Sequence, residues 1–214
     1  MIKAIIFDFD GVIVESVNIK SEAFAYMYRA HSNDVVDKVV THHLANGGMS
    51  RFDKFRLYHK EYLGVDLARN ELAELAEKFS HLVVDKVIAA PYVRGAFEFL
   101  SKYHNIYDFY VSTGTPEAEI VRILEAKQLI GFFRGVYGSP EKKSEHASRI
   151  LRNGNYRRNE VVFVGDALSD RDAARENNIP FIARLAEKNG QLESEKVTIS
   201  NFENFGEKIK EIIV

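Results

Sequence analysis

Two aspartates one residue apart, Asp8 and Asp10, close the apolar run Ala4–Phe7 and are followed at once by Gly11. In extended backbone, residues i and i+2 point to one face, so both carboxylates can meet a single ligand. Gly11 permits a sharp turn and a close approach of the backbone to that ligand. Two crowded acids call for a cation, and ligation by oxygen alone suits Mg²⁺. Three more clusters follow later apolar runs. Ser112-Thr113-Gly114-Thr115-Pro116 precedes a helical pattern, and hydroxyls with free backbone N–H groups at a helix start form an anion site. Gly138-Ser139-Pro140-Glu141-Lys142-Lys143 offers a lysine able to neutralise a phosphate and an aspartate nucleophile together. Gly165-Asp166-Ala167-Leu168-Ser169-Asp170 places two more acids where a metal shell could be completed. Each cluster alone has an ordinary explanation: an acidic turn, a helix start, solvated lysines, or a cap made by Asp170 or Ser169. Four of them in order, each after a buried run, point instead to magnesium-dependent phosphoryl transfer with Asp8 as nucleophile.

These residues need a scaffold that presents strand ends together. The run Lys3–Phe7 lacks alternation and is rich in Ile, which suits a strand buried on both faces of a parallel sheet. Similar runs recur at Tyr107–Ser112, Gly135–Tyr137, Val161–Gly165 and Pro180–Ala183. Helical patterns lie between them at Ala96–Tyr103, Glu117–Lys127, Lys143–Asn153 and Ser169–Asn177, and a last one at Phe205–Ile213. The alternation predicts an α/β fold, a Rossmann-like doubly wound parallel sheet, in which ligands bind beyond the carboxyl ends of the strands. The stretch 17–86 differs. It has almost no strand signal, and apolar positions Leu67, Leu72, Leu75, Phe79 and Leu82 recur at helical spacing, so it reads as an all-helical insert placed directly after the first strand. Residues 1–16 and 87–214 then form a discontinuous core, with Ala89-Ala90-Pro91-Tyr92 leading back into it and Asn189–Glu195 a polar surface loop.

Composition narrows the classes. The chain has 214 residues, 46% hydrophobic and 28% charged, which is ordinary for one substantial globular domain carrying an insert. A net charge of −2 without any dominant basic block gives no expectation of nucleic acid or of an anionic membrane as partner. The chain has no cysteine, which excludes disulfides and thiolate chemistry and fits a reducing, cytoplasmic setting. No signal peptide and no membrane span are recognisable.

The ordered set Asp-x-Asp-Gly, Ser/Thr, Lys and Gly-Asp-x-x-x-Asp resembles the haloacid dehalogenase superfamily, from Asp8 to Asp170, with Phe7-Asp8-Phe9-Asp10-Gly11-Val12 as its most specific part. The insert is similar to the helical cap of the phosphoglycolate phosphatase and β-phosphoglucomutase branch. The resemblance implies that Asp8 attacks phosphorus, while Asp10 protonates the leaving oxygen and then activates water. It implies that Thr113, or Ser112 if the register slips by one, holds phosphoryl oxygens with Gly11 and Gly114, and that Lys143, with Lys142 as alternative, balances charge. It further implies that Asp166 and Asp170 join Asp8 and Asp10 around Mg²⁺. An aspartate two residues after the nucleophile argues for phosphate chemistry over metal-free dehalogenation. Glu15 stands where the family often has Asp, and Ala167 where it often has Ser or Thr.

The insert carries His42-His43-Leu44-Ala45-Asn46-Gly47-Gly48-Met49-Ser50-Arg51. The paired glycines make a turn that could face the site, and Arg51 is the candidate there for a second part of the substrate; otherwise Ser50 caps a helix and Arg51 lies in solvent. Adjacent histidines diverge on a helix, so surface positions are expected for His42 and His43. Gly-x-Ser-Arg resembles the substrate loop of β-phosphoglucomutases, although Lys20 stands where those enzymes have histidine. The expected function is a phosphatase acting on a small phosphorylated metabolite, with a sugar phosphate as the candidate. The alternatives are a sugar-phosphate mutase and a non-catalytic phosphate-sensing module.

Overall fold

A computed structural model describes residues 1–186 and 192–211. The strands are β1 (Ala4–Phe7), β2 (Asp108–Pro116), β3 (Phe133–Ser139), β4 (Val161–Gly165), β5 (Phe181–Arg184) and β6 (Thr198–Ile199), forming one sheet in the order β3-β2-β1-β4-β5-β6. Every pairing in it is parallel, as continuous apolar runs separated by helices require. The crossovers carry α5 (Ala96–Tyr103), α6 (Glu117–Ala126), α7 (Lys143–Asn153) and α8 (Leu168–Glu176), and α9 (Phe205–Glu211) closes the chain. The expected elements are found within a residue or two of their sequence bounds, except that β2 and β3 run on into the polar clusters. β6 was not expected: two residues are too short to leave a recognisable apolar run. Of the loop expected at Asn189–Glu195, residues 189–191 lie outside the described residues, as does the end of the last helix beyond Glu211.

β1 shows why the sheet is buried twice. Its four residues are all inaccessible, and they divide by parity. Ile5 and Phe7 join one core with Phe99, Phe109, Phe202 and Phe205; Ala4 and Ile6 join another with Ala147, Ile150, Phe163 and Ala173. Phe7 meets Phe109 edge to face at a centroid separation of 5.3 Å. Each such aromatic ring contributes about 1.5–3 kcal/mol through burial. A central strand with side chains locked on both faces is a rigid mount for whatever follows it.

Between β1 and α5 lie α1 (Val17–Tyr28), α2 (Asn33–Ala45), α3 (Arg51–Leu63) and α4 (Arg69–Ala89), the expected helical insert. Phe24, Phe55, Tyr58 and Phe79 are its buried aromatic centre, with Phe24 and Phe79 only 4.4 Å apart between centroids. Leu72 is buried, and Leu75, Leu82 and Leu67 pack against the core, although Leu67 precedes α4 rather than lying within it. Ser50 accepts from the Asp53 N–H and starts α3, the capping role foreseen for it. The two chain crossings into the insert run side by side: Val14 bridges Tyr92 antiparallel, and Glu15 N–H donates to the Pro91 carbonyl at 3.0 Å.

Candidate active site

Register brings the clusters together. Phe7 is opposite both Val111 and Val164, so Asp8 stands level with Ser112 and Gly165, and Thr113 and Asp166 follow one residue on. At that edge a cavity of about 130 Å³ opens beneath the insert, lined among others by Asp8, Asp10, Thr113, Gly114 and Asp166. Gly11 has φ +73°, and a Cβ there would meet the Asp166 carboxylate at 2.1 Å, so only glycine allows the turn after Asp10 to close on that acid.

Asp8 is buried. Its Oδ1 accepts from the Phe9 N–H at 2.7 Å, and its Oδ2 pairs with Lys143 Nζ at 2.8 Å. Lys143 also donates to Asp170 Oδ1 at 2.7 Å. Burial alone would drive the lysine toward neutrality, but Asp170 and Asp8 overcome it and raise its pKa. Lys142 is exposed, and of the two lysines it is Lys143 that contacts Asp8. Carboxylate oxygens of Asp8, Asp166 and Asp170 lie within 4.8 Å of one another. Burial first, then the charges of Asp8 and Asp170, push Asp166 well above the carboxylate range. Burial also raises Asp170, to about 7, against the opposing pull of Lys143. Three oxygen donors that cannot comfortably all ionise together are a fitting set for a hard divalent cation.

The side chain of Asp10 is not in that group. Its carboxylate accepts from Ser16 Oγ at 2.6 Å and from Thr115 Oγ1 at 3.3 Å, and it pairs with Lys20, whose Nζ also donates to Thr115 Oγ1 at 2.7 Å. Burial raises the Asp10 pKa, but the charge and hydrogen bond of Lys20, with help from Ser16 and Thr115, bring it below the ordinary value. A metal contact through this carboxylate, expected from sequence, therefore competes with an existing ion pair. Ser16, Lys20 and Thr115 were not foreseen in this role. Ser16 immediately precedes α1 and Lys20 lies one helical turn on, a spacing that turns both toward Asp10.

Thr113 lines the cavity and its Oγ1 accepts from the Thr115 N–H at 3.2 Å. Ser112 is wholly buried and its hydroxyl is engaged by His146 Nδ1 at 2.9 Å, so of the two hydroxyls Thr113 is the one available to a ligand. The His146 pKa is depressed to about 4, by burial first and then by the charge of Lys143. The unfolded chain therefore gains a proton here between about pH 6.5 and 4 that the folded chain refuses, and stability is lost as pH falls through that window. The stability gap between wild type and His146→Gln should accordingly shrink by about 2 kcal/mol between pH 7 and pH 5 in urea unfolding. An unchanged gap would show that His146 does not titrate this way.

The paired glycines do face the site. Ser169 Oγ donates to the Gly47 carbonyl at 2.8 Å, and a Cβ on Gly114 would sit 2.5 Å from the Gly48 carbonyl oxygen. Two expectations for the insert need correction. His43 is not a surface residue; it is buried and lines the cavity, while its neighbour His42 lies near Tyr58 with Nδ1 3.2 Å from the hydroxyl. Arg51 lines the cavity too, so it is not the solvated residue of the alternative reading, and its donors are engaged within the chain. Its guanidinium is bidentate to Glu119 of α6 at 2.8 and 2.5 Å and donates to Ser80 Oγ at 2.6 Å. A buried arginine is stable only when its donors are matched, and Glu119 matches them.

A doubly wound sheet whose strands β1 to β4 lead into an aspartate pair, a hydroxyl loop, a lysine and a further acid pair, under a helical insert, defines a capped α/β hydrolase. Residues 5–184 match the haloacid dehalogenase-like hydrolase family, and the chain belongs to it. No curated protein sequence matches the chain. Solved structures do: one described as a β-phosphoglucomutase from Clostridium difficile is 18% identical with a TM-score of 0.74, covering 100% of this chain and 99% of its own. One described as a predicted phosphoglycolate phosphatase from Haemophilus somnus is 16% identical with a TM-score of 0.75, covering 96% and 97%. A Bacillus subtilis protein described as a HAD-hydrolase bound to magnesium is 16% identical with a TM-score of 0.72, covering 98% and 99%. At these identities the likeness is one of fold. Among the described residues no helix is long and apolar enough to cross a membrane.

Proposed function

We propose that the protein is a Mg²⁺-dependent phosphatase that hydrolyses a small phosphomonoester metabolite through a phosphorylated Asp8. The observation that carries this reading is the convergence of Asp8, Asp10 and Thr113 on one cavity, with Lys143 bonded to the nucleophile. Asp8 forms the new bond to phosphorus as the ester P–O bond breaks, and the leaving oxygen takes a proton from Asp10. Water then attacks phosphorus, Asp10 removes its proton, and the Asp8–P bond breaks to release phosphate. Asp8, Asp166 and Asp170 would hold Mg²⁺, which when bound supplies positive charge to the phosphoryl oxygens. Lys143 fixes the nucleophile, and Thr113 with the backbone around Gly114 can orient the oxygens. The Lys20 contact favours ionised Asp10, the form needed by the second half-reaction. The first half needs the protonated form, so the ester must displace that contact.

The magnesium-bound Bacillus structure and the similarly folded phosphoglycolate phosphatase and β-phosphoglucomutase accord with this reading. The mutase alternative is weakened because Arg51, its best candidate for gripping a sugar phosphate, is committed to Glu119. A phosphate sensor would gain nothing from a cavity roofed by four helices. The test is phosphate release from an aryl phosphate with Mg²⁺ and with excess chelator, together with assay for isomerised hexose phosphates. Phosphate release that disappears with chelator is expected; full activity in chelator would overturn the reading, and isomerisation without release would establish the mutase. The protein is expected to act in the cytoplasm on a soluble metabolite, without nucleic acid or membrane as partner.

A further inference from the structure

Lys54, in the first turns of α3, is 2% exposed and lines the cavity. Its ammonium donates to His43 Nδ1 at 2.8 Å and reaches the His43 carbonyl oxygen at 3.4 Å. His43 is no counter-ion, because burial and then the charges of Lys54 and Lys20 depress its pKa to about 2. Neighbouring cations are already paired: Lys20 with Asp10, Arg51 with Glu119, and Lys143 with Asp8 and Asp170. Among the described residues Lys54 has no ion pair with any carboxylate. A buried ammonium without a counter-charge is strongly unfavourable and would be relieved by any apolar side chain of similar size. Burial, reinforced by Lys20 and Lys143, accordingly brings Lys54 down to about 7. An arrangement this costly to stability, placed in the wall that faces the nucleophile, belongs to ligand recognition.

We propose that Lys54, oriented by His43, receives a second anionic group of the substrate, so that the ester carries a carboxylate or a second phosphate besides the phosphoryl group transferred. The inference rests on the phosphatase reading for the position of that phosphoryl group. An ammonium has three donors, and His43 engages at most two of them, so one remains for an incoming oxygen. That oxygen would provide the counter-charge that Lys54 lacks, in a setting with little water to screen the pair. Arg51, the residue that the sequence nominated for this task, is one helical turn away on the same helix but already neutralised.

The experiment compares three two-carbon esters: ethyl phosphate, 2-phosphoglycolate and ethylene glycol bisphosphate. Their binding to full-length Asp8→Asn protein with Mg²⁺ is measured by calorimetry, with and without Lys54→Met. At least one doubly anionic ester should bind tenfold or more tightly than ethyl phosphate, and Lys54→Met should abolish at least about tenfold of that preference, the range of a charge-assisted hydrogen bond. Which ester loses it tells carboxylate from phosphate. Lys54→Met should also unfold at a higher temperature than its parent when no ligand is present, so misfolding would not mimic the result. No preference in the parent, or a preference that survives Lys54→Met, overturns the proposal. Turnover by the wild type is scored separately, so absence of hydrolysis would remove the phosphatase reading while the binding comparison still decides on Lys54.

Discussion

Asp8→Asn is expected to lower phosphate release by roughly four orders of magnitude or more, the scale seen when a covalent nucleophile is removed. The substitution keeps the side chain's shape and its Oδ1 acceptor for the Phe9 N–H, and Lys143 keeps Asp170 as a partner. The fold should therefore persist, and the loss should fall on kcat. Parallel thermal unfolding checks that point. Residual activity above about a tenth of wild type, in a protein that is still folded, would assign the attack to water or to another residue.

Lys143→Met is expected to strike stability as well as rate. Among the described residues Lys143 is the one cation in direct contact with two of the three clustered acids, 2.8 Å from Asp8 and 2.7 Å from Asp170. Breaking a buried ion pair from one side costs about 3–5 kcal/mol, because the charge left behind has lost its compensation. The pH dependence gives the sign. Asp166 and Asp170 already have raised pKa values, with Asp170 at about 7. Groups of this kind bind protons more readily in the folded state, so they restore stability as pH falls toward the ordinary carboxylate range. The deficit of the variant in metal-free urea unfolding should be largest near pH 8 and clearly smaller near pH 5. Equal deficits at both pH values would mean that the lysine matters for packing and not for charge.

The parts legible in the sequence are those written locally. A strand buried on both faces must be a continuous apolar run, so β1 and β4 announce themselves, and the polar residues that end them announce the site. Helix starts and stops gave Ala96–Tyr103 and Lys143–Asn153 as they stand in the fold. What stayed hidden is the choice of partner across distance. Arg51 and Glu119 are 68 residues apart, and nothing local to either says that they meet. Ser112 and His146 are likewise joined only by the packing of α7 on β2. Lys54 is the instructive case, since its three-residue offset from Arg51 places both on one face of α3. Two cations on the face that carries buried Phe55 and Tyr58 were a legible anomaly.

The clasp between Arg51 and Glu119 also bears on how molecules come and go. Glu119 lies in the first turn of α6, directly after the segment that presents Thr113 and Thr115, while Arg51 and Ser80 belong to the insert. The insert is thus fastened to the helix start that directly follows the Thr113–Thr115 segment. Separating the insert from α6 would require pulling a two-pronged ion pair apart and returning both charges to water, and re-forming the contact would strip that water away again. Any such movement would therefore be coupled to the hydration of a buried salt bridge, at a point on the wall remote from Asp8 in sequence but continuous with the loop beside it.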